Sequence, residues 1–235
     1  PDSSKPHLLS AQIDMKLAGN YTVTVMESGD AVPLNLLGSP FNVVVNPAAT
    51  DPASCKSSYP LSVVAGENFR LEIRTFDEYG NPTNYEDDDE FLGWIGGPQD
   101  KDNAVKLTRS RNSFVFRDNR TFADSYRIHV LHNKTNTEVA NSPFAFRVAP
   151  SEANAPFSFH NIASDTLVDT SGKVDLLLQV FPVDEFRNAL SSATGYTVTV
   201  NRKAKGEEIF ELESPSFSTT YPIEKSFEGE IKVSF

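Results

Sequence analysis

Ala18-Gly19-Asn20-Tyr21-Thr22-Val23-Thr24-Val25 returns in the chain as Ala123-Asp124-Ser125-Tyr126-Arg127-Ile128-His129-Val130. It returns again as Glu228-Gly229-Glu230-Ile231-Lys232-Val233-Ser234-Phe235. Tyr21, Tyr126 and Ile231 are separated by 105 positions at each step. Gly38-Ser39-Pro40-Phe41-Asn42-Val43-Val44-Val45 is echoed by Asn141-Ser142-Pro143-Phe144-Ala145-Phe146-Arg147-Val148, and Asp77-Glu78-Tyr79-Gly80-Asn81 by Asp184-Glu185-Phe186-Arg187-Asn188. Independent echoes at nearly one spacing establish an internal repeat of roughly 100 residues. Within each copy the apolar residues alternate. Tyr21, Val23 and Val25 share one face, as do Tyr126, Ile128 and Val130, or Phe69, Leu71 and Ile73 between Arg70, Glu72 and Arg74. A period of two is the mark of half-buried antiparallel strands. No window carries a helical period, so short strands in units of this length predict an all-β chain of tandem sandwiches.

Turn chemistry agrees. Asp77-Glu78-Tyr79-Gly80-Asn81-Pro82 supplies a glycine for positive φ and a proline that stops a ladder. Ser39-Pro40 and Ser142-Pro143 place proline at the head of a strand, where a missing N–H costs little. A tyrosine heading the alternating strand matches the tyrosine corner of such sandwiches, although Ile231 replaces it in the last copy.

Composition sets outer limits. The 235 residues, 39% hydrophobic and 23% charged, lie in the globular range and exclude wholesale disorder or a collagen-like fibre. Apolar runs such as Leu176-Leu177-Leu178 are far shorter than the roughly 20 residues of a membrane span, so no membrane insertion is expected of this stretch. Pro1-Asp2-Ser3-Ser4 lacks the apolar core of a secretory signal behind it, and the chain is expected to be a piece of something longer. With 32 acidic against 21 basic residues the net charge is −11. A phosphate backbone is repelled by that field, and Arg202-Lys203-Ala204-Lys205, the densest basic cluster, does not reverse it; nucleic acid is not an expected partner. The single cysteine, Cys55, forbids an intrachain disulfide and a Cys-rich zinc site.

Catalysis requires convergent groups, and none converge in the sequence; no enzyme activity and no cofactor are expected. His7, His129, His132 and His160 have no metal-binding spacing. The alternation sends His129 and His132 outward, or to opposite faces if the strand continues, and predicts a surface pair. Cys55 reads as a buried or incidental thiol. The run Glu86-Asp87-Asp88-Asp89-Glu90 offers carboxylates that calcium favours, but without the spacing of a calcium loop it reads as solvated, and no metal site is assigned. Three glycosylation sequons begin at Asn20, Asn119 and Asn133. Their number is what chance gives, but their expected positions in turns and hairpins suit a secreted or cell-surface chain.

The Ala-Gly-x-Tyr-x-Val-x-Val strand at 18–25, the Gly-Ser-Pro-Phe-x-Val-x-Val strand at 38–45, and Gly97-Pro98 after Phe91-Leu92-Gly93-Trp94-Ile95 together resemble filamin-type immunoglobulin repeats. The resemblance implies strands F and G in the first two motifs and strand C in the third. It divides the chain into residues 1–48 with strands E to G only, a complete repeat at 52–148, and residues 152–235 lacking the last strand. It also leaves room for a bolder arrangement in which strand 41–45 completes the carboxy-terminal unit. Linkers such as Ala149-Pro150-Ser151-Glu152-Ala153-Asn154-Ala155-Pro156 are expected to act as semi-rigid spacers.

In filamin repeats that bind partners, the ligand adds a strand beside strand C. Carried over by position, that edge would be lined by Phe91, Trp94, Ile95, Val105 and Leu107. Gly93 and the Gly96-Gly97 pair depart from the family there, and Trp94 has a competing reading as core. Two functional classes follow from the resemblance. One is a non-enzymatic adhesion or recognition module at the cell surface, with a membrane anchor outside this stretch and a protein partner on an opposing surface, as in plant and algal gamete-surface proteins with filamin-like ectodomains. The other is a cytoplasmic filamin-like actin crosslinker or scaffold whose repeats space and dock partner peptides.

Overall fold

A computed structural model describes residues 11–27, 34–83, 89–111, 113–161, 174–191, 197–202, 206–212, 218–223 and 229–234. The amino-terminal segment contributes β1 (Gly19–Val23), β2 (Met26–Glu27), β3 (Leu34–Asn35) and β4 (Phe41–Val45). The central segment contributes β5 (Lys56–Ser58), β6 (Ser62–Val64), β7 (Asn68–Arg74), β8 (Phe91–Ile95), β9 (Val105–Lys106), β10 (Thr108–Ser110), β11 (Ser113–Asn119), β12 (Ser125–His132), β13 (Thr137–Glu138) and β14 (Phe144–Ala149). The carboxy-terminal segment holds β15 (Phe159–His160), β16 (Val174–Phe181), β17 (Thr197–Arg202), β18 (Gly206–Glu211), β19 (Ser218–Ile223) and β20 (Gly229–Ser234). Helix is confined, among the described residues, to 3-10 turns at Pro52–Ser54 and Pro98–Asn103. The all-β expectation holds.

The central strands form two sheets, ordered β5-β7-β11-β10 and β6-β14-β12-β8-β9, with β13 also paired to β12. The chain leaves the first sheet after β5, passes Pro60, and joins the second as β6, which runs parallel to β14 through Ser62↔Arg147 and Val64↔Ala149. A proline between the two halves of one edge element suits that switch, because it cannot donate to either ladder. The carboxy-terminal sheets are ordered β15-β16-β19 and β18-β17-β20. Contacts group the chain into two compact units: Pro1–Tyr59 with Arg70–Phe116 and Arg127–Phe144, and Pro60–Phe69 with Arg117–Tyr126 and Ala145–Phe235.

In the first unit, β1 pairs antiparallel with β4 through Tyr21↔Val43 and Val23↔Phe41. That pairing rules out the arrangement in which 41–45 completes the carboxy-terminal unit: the nearest compatible edge in sequence wins because its short connection closes at low entropic cost. Phe91 packs 4.6 Å from Phe114, and Leu71, Ile73, Ile128 and Phe144 are buried. In the second unit Phe69 and Tyr126 close on Phe146 at 4.2 and 5.5 Å, and Leu178 and Val180 are buried.

Two devices repeat atom for atom. The Tyr21 hydroxyl donates to the Leu17 carbonyl at 2.7 Å, and that of Tyr126 to Phe122 at 2.8 Å. Ser39 Oγ accepts the Val25 N–H and Ser142 Oγ the Val130 N–H, so each Ser-Pro strand is pinned to the tyrosine strand before it. Each gives a backbone group at a strand end the partner it would otherwise lack.

Gly93 has a packing reason. Alternation points Phe91 and Gly93 into the core, and a Cβ at Gly93 would lie 2.8 Å from Phe116 Cδ2 and 2.9 Å from Leu107 Cδ1. Gly93→Ala is therefore expected to lower stability by about 1–3 kcal/mol through overpacking. Urea unfolding would measure it, and an unchanged midpoint would show that the core yields at that point.

Candidate functional site

The Asp-Glu-x-x-Asn turn follows the same strand of the repeat twice, and both copies build one hydrogen-bond clasp. In the first unit, Asp77 Oδ1 accepts the N–H groups of Tyr79 and Asn81 at 3.0 and 2.8 Å. Asp77 Oδ2 accepts the Asn81 side-chain amide at 2.8 Å and the backbone N–H of Ala48, in the linker, at 2.9 Å. Asn81 then reaches back to the segment before it. Its Oδ1 accepts the Ala18 N–H at 2.9 Å, and its Nδ2 donates to the Lys16 carbonyl at 2.8 Å. Ala18 heads the tyrosine strand of the preceding motif, so one turn grips both the linker and the strand start.

The second unit repeats this residue for residue. Asp184 Oδ1 accepts from the Phe186 and Asn188 N–H groups, while Oδ2 accepts the Asn188 amide and the Ser151 N–H. Asn188 accepts the Ala123 N–H at 2.7 Å and donates to the Thr121 carbonyl at 2.7 Å. The left-handed position of the turn is Gly80 (φ +83°) in one copy and Arg187 (φ +69°) in the other. Only glycine enters that region freely. Arg187 is held there by the clasp, its guanidinium 5.9 Å over the Phe157 ring. Phe186 lies against Gly66 so closely that a Cβ there would stand 2.7 Å from its Cζ.

Asp77 and Asp184 are almost wholly buried, as are Asn81 and Asn188. Burial alone would push both carboxyls up, but the amide and backbone donors outweigh it and hold both below the ordinary aspartate range. The turn was legible as a turn; its role as a clasp was not, although the echo of Asp and Asn at one shared offset was the available signal.

The expected surface histidine pair is a correction. β12 runs through to His132, so His129 and His132 face opposite sides, and both are buried. His129 stacks on Trp94, ring centroids 4.9 Å apart, with Nδ1 2.9 Å from Glu138 Oε1. His132 Nε2 lies 3.2 Å from Asp89 Oδ1, Nδ1 lies 3.0 Å from Thr135 Oγ1, and Thr50 donates to the other Asp89 oxygen. Asp89 is thus a buried hydrogen-bonded carboxylate rather than part of a solvated run. A buried charge needs partners, and His132 and Thr50 supply them. Glu90 pairs with Lys106 and accepts from Asn133; Glu86, Asp87 and Asp88 lie outside the described residues. No three metal-ligating side chains cluster among the described residues. Cys55 is buried, and burial pushes its thiol up to about 11, which suppresses the thiolate.

At the expected partner edge, the chain's own β9 pairs with β8 through Leu92↔Lys106 and Gly93↔Val105, and the Leu107 N–H donates to the Phe91 carbonyl. Phe91, Trp94 and Leu107 are buried, Ile95 is half-buried and Val105 is exposed. Trp94 Nε1–H donates to the Gly97 carbonyl, tying the 3-10 turn over its ring. The exposed remainder of this edge is the two-residue β9. Asn20, Asn119 and Asn133 are all exposed: Asn20 lies on β1, Asn119 at the end of β11 bonded to the Gly66 carbonyl, and Asn133 just beyond β12 bonded to Glu90.

No protein-family model and no curated protein matches the chain. Among solved structures it is similar to invasin, described as a bacterial integrin-binding protein, at 13% identity over 92% of this chain and 42% of that one, with a TM-score of 0.50. The fold is immunoglobulin-like. FdeC, an Escherichia coli adhesin, aligns at 16% identity over 91% of this chain and 73% of that one, TM-score 0.47. The Lin-41 filamin domain aligns at 9% identity over 43% of this chain and 98% of that one, TM-score 0.33. In the strand letters of the immunoglobulin fold, β5-β7-β11-β10 is the A-B-E-D sheet and β14-β12-β8 the G-F-C sheet.

The clasp predicts matched effects. Asn81→Ala and Asn188→Ala each remove two bonds to the preceding segment and leave a buried carboxylate short of a donor, at a cost of about 1–3 kcal/mol. Because Asp77 and Asp184 sit below their ordinary value when folded, their stabilisation is complete above that value and is lost as pH falls through the folded one. Denaturation midpoints should therefore drop below about pH 4, and the drop should be shallower in Asp77→Asn and Asp184→Asn. An equally steep acid drop in both variants would contradict the clasp.

Proposed function

We propose that this chain is a non-enzymatic adhesion and recognition module built from tandem immunoglobulin-like units. The single observation that carries this reading is the clasp made twice from the same atoms, because a joint built twice serves spacing. Each clasp converts a Pro/Ala-containing linker into a hydrogen-bonded joint between successive repeats of the sequence, which suits an array that holds a surface at a distance from its anchor. The division into 1–48, 52–148 and 152–235 is part of this proposal. Similarity of fold to invasin, described as a bacterial integrin-binding protein, is consistent with it.

In its finer form the module belongs to an extracellular protein, anchored outside this stretch, that binds a protein on an opposing cell. Attachment between gametes is the setting we favour, in keeping with the resemblance to filamin-like ectodomains. Exposure of the three sequon asparagines supports a secretory route. No helix among the described residues is long and apolar enough to cross a membrane.

Antibodies raised against the chain should stain intact, unpermeabilised cells that express the full-length protein, and beads coated with the chain should bind the opposing cell type. Staining only after permeabilisation would replace this reading with the cytoplasmic scaffold. After expression in a eukaryotic secretory host, intact-mass measurement should show glycan at Asn20, Asn119 and Asn133; three unmodified asparagines would contradict the secretory route.

A further inference from the structure

The outer face of the four-stranded sheet carries a different feature. Alternation along β7 buries Phe69, Leu71 and Ile73 and turns Arg70, Glu72 and Arg74 to the other side. Together with Arg111 from the β10–β11 turn they line a cleft of about 650 Å³, with Phe76 and Pro82 as its apolar wall. That volume lies within the usual range for a ligand site, about 300–1,000 Å³.

Among the described residues that line it, basic groups outnumber acidic ones. One carboxylate, Glu72, serves two guanidinium groups, at 2.9 Å from Arg70 and 3.5 Å from Arg74. Arg111, in the left-handed region at φ +49°, is exposed and has no ion pair among the described residues. Lys56, opposite Arg74 across the β5–β7 ladder, lays its ammonium 4.5 Å over the Phe76 ring. In a chain of net charge −11 this is, among the described residues, a local excess of positive charge set in a concavity. Thr75, also in the lining, keeps its buried Oγ1 without a hydrogen-bond partner.

We propose that this cleft binds an extended acidic peptide segment of a partner protein. Guanidinium forks match carboxylates in a bidentate fashion, and Arg111 has no ion pair among the described residues to compete for its fork. Arg70, Glu72 and Arg74 follow one another at about 7 Å, two residues of rise along a strand. Same-face side chains of an extended peptide repeat at that step, so acidic residues four positions apart meet the two arginines, with a neutral residue between them on that face opposite Glu72. The Phe76–Pro82 wall accepts an apolar flank. The site is distinct from the β8–β9 edge, and its occupancy does not depend on the adhesion reading.

The test is fluorescence anisotropy with a fluorescein-labelled Glu-Ser-Ser-Ser-Glu peptide and the full chain. Binding is expected, weakening as salt is raised. Arg111→Glu should weaken it by about tenfold or more, and Glu72→Gln, which frees both arginines, should tighten it. Arg111 has no ion pair to lose among the described residues, and an unchanged thermal midpoint certifies that variant's fold. Absence of peptide binding, or binding indifferent to both substitutions, overturns the proposal. So does binding of a labelled heparin-type oligosaccharide in place of the peptide, because it assigns the cleft to a sulfated sugar.

Discussion

A carboxylate withdrawn from water must be met by donors, and that requirement organises the joints of this protein. Asp77 and Asp184 are each buried at the end of a strand, where the turn that follows supplies two N–H groups and one side-chain amide. The fourth donor comes from the linker, Ala48 or Ser151. The asparagine that completes the set spends its remaining capacity on the segment before it, at Ala18 and Lys16 or at Ala123 and Thr121. The geometry that keeps the turn from exposing a naked charge is thus the geometry that binds neighbouring stretches together. Local satisfaction and longer-range order are one event, so neither is available without the other.

Much of the fold was legible because it rests on period and repetition. Alternation along β7, β12 and β14 follows from the pleat, and the tyrosine and Ser-Pro motifs marked strand ends whose bonds recur in both copies. Pairwise chemistry across long separations was not legible. Asp89 sits in a run that reads as solvated, and only the fold carries it to His132, 43 positions away. His129 was expected in water because its own strand alternates, yet Trp94 and Glu138 from neighbouring strands cover it. The clasp falls between these cases. Its residues were visible as an echo, but nothing local says that Asn81 bonds to a residue 63 positions earlier.

The same contrast shapes the surfaces. The edge of β8 would be open if the stretch after it left the sheet; instead Val105–Lys106 pairs beside it and Leu107 turns into the core, leaving a short exposed rim. Short edge strands limit unwanted pairing. Recognition then shifts toward faces, where side chains rather than ladder groups set specificity, and the arginine-lined cleft on the opposite sheet is such a face.

Amide hydrogen exchange, followed by NMR, tests the central claim most directly. If the clasps hold, the Ala18, Ala48, Ala123 and Ser151 amides are protected far beyond unstructured linker amides, and the two pairs match. Exchange of Ala48 and Ser151 at the rate of a free chain would contradict the account, leaving the turns intact but the segments joined by nothing more than their covalent link.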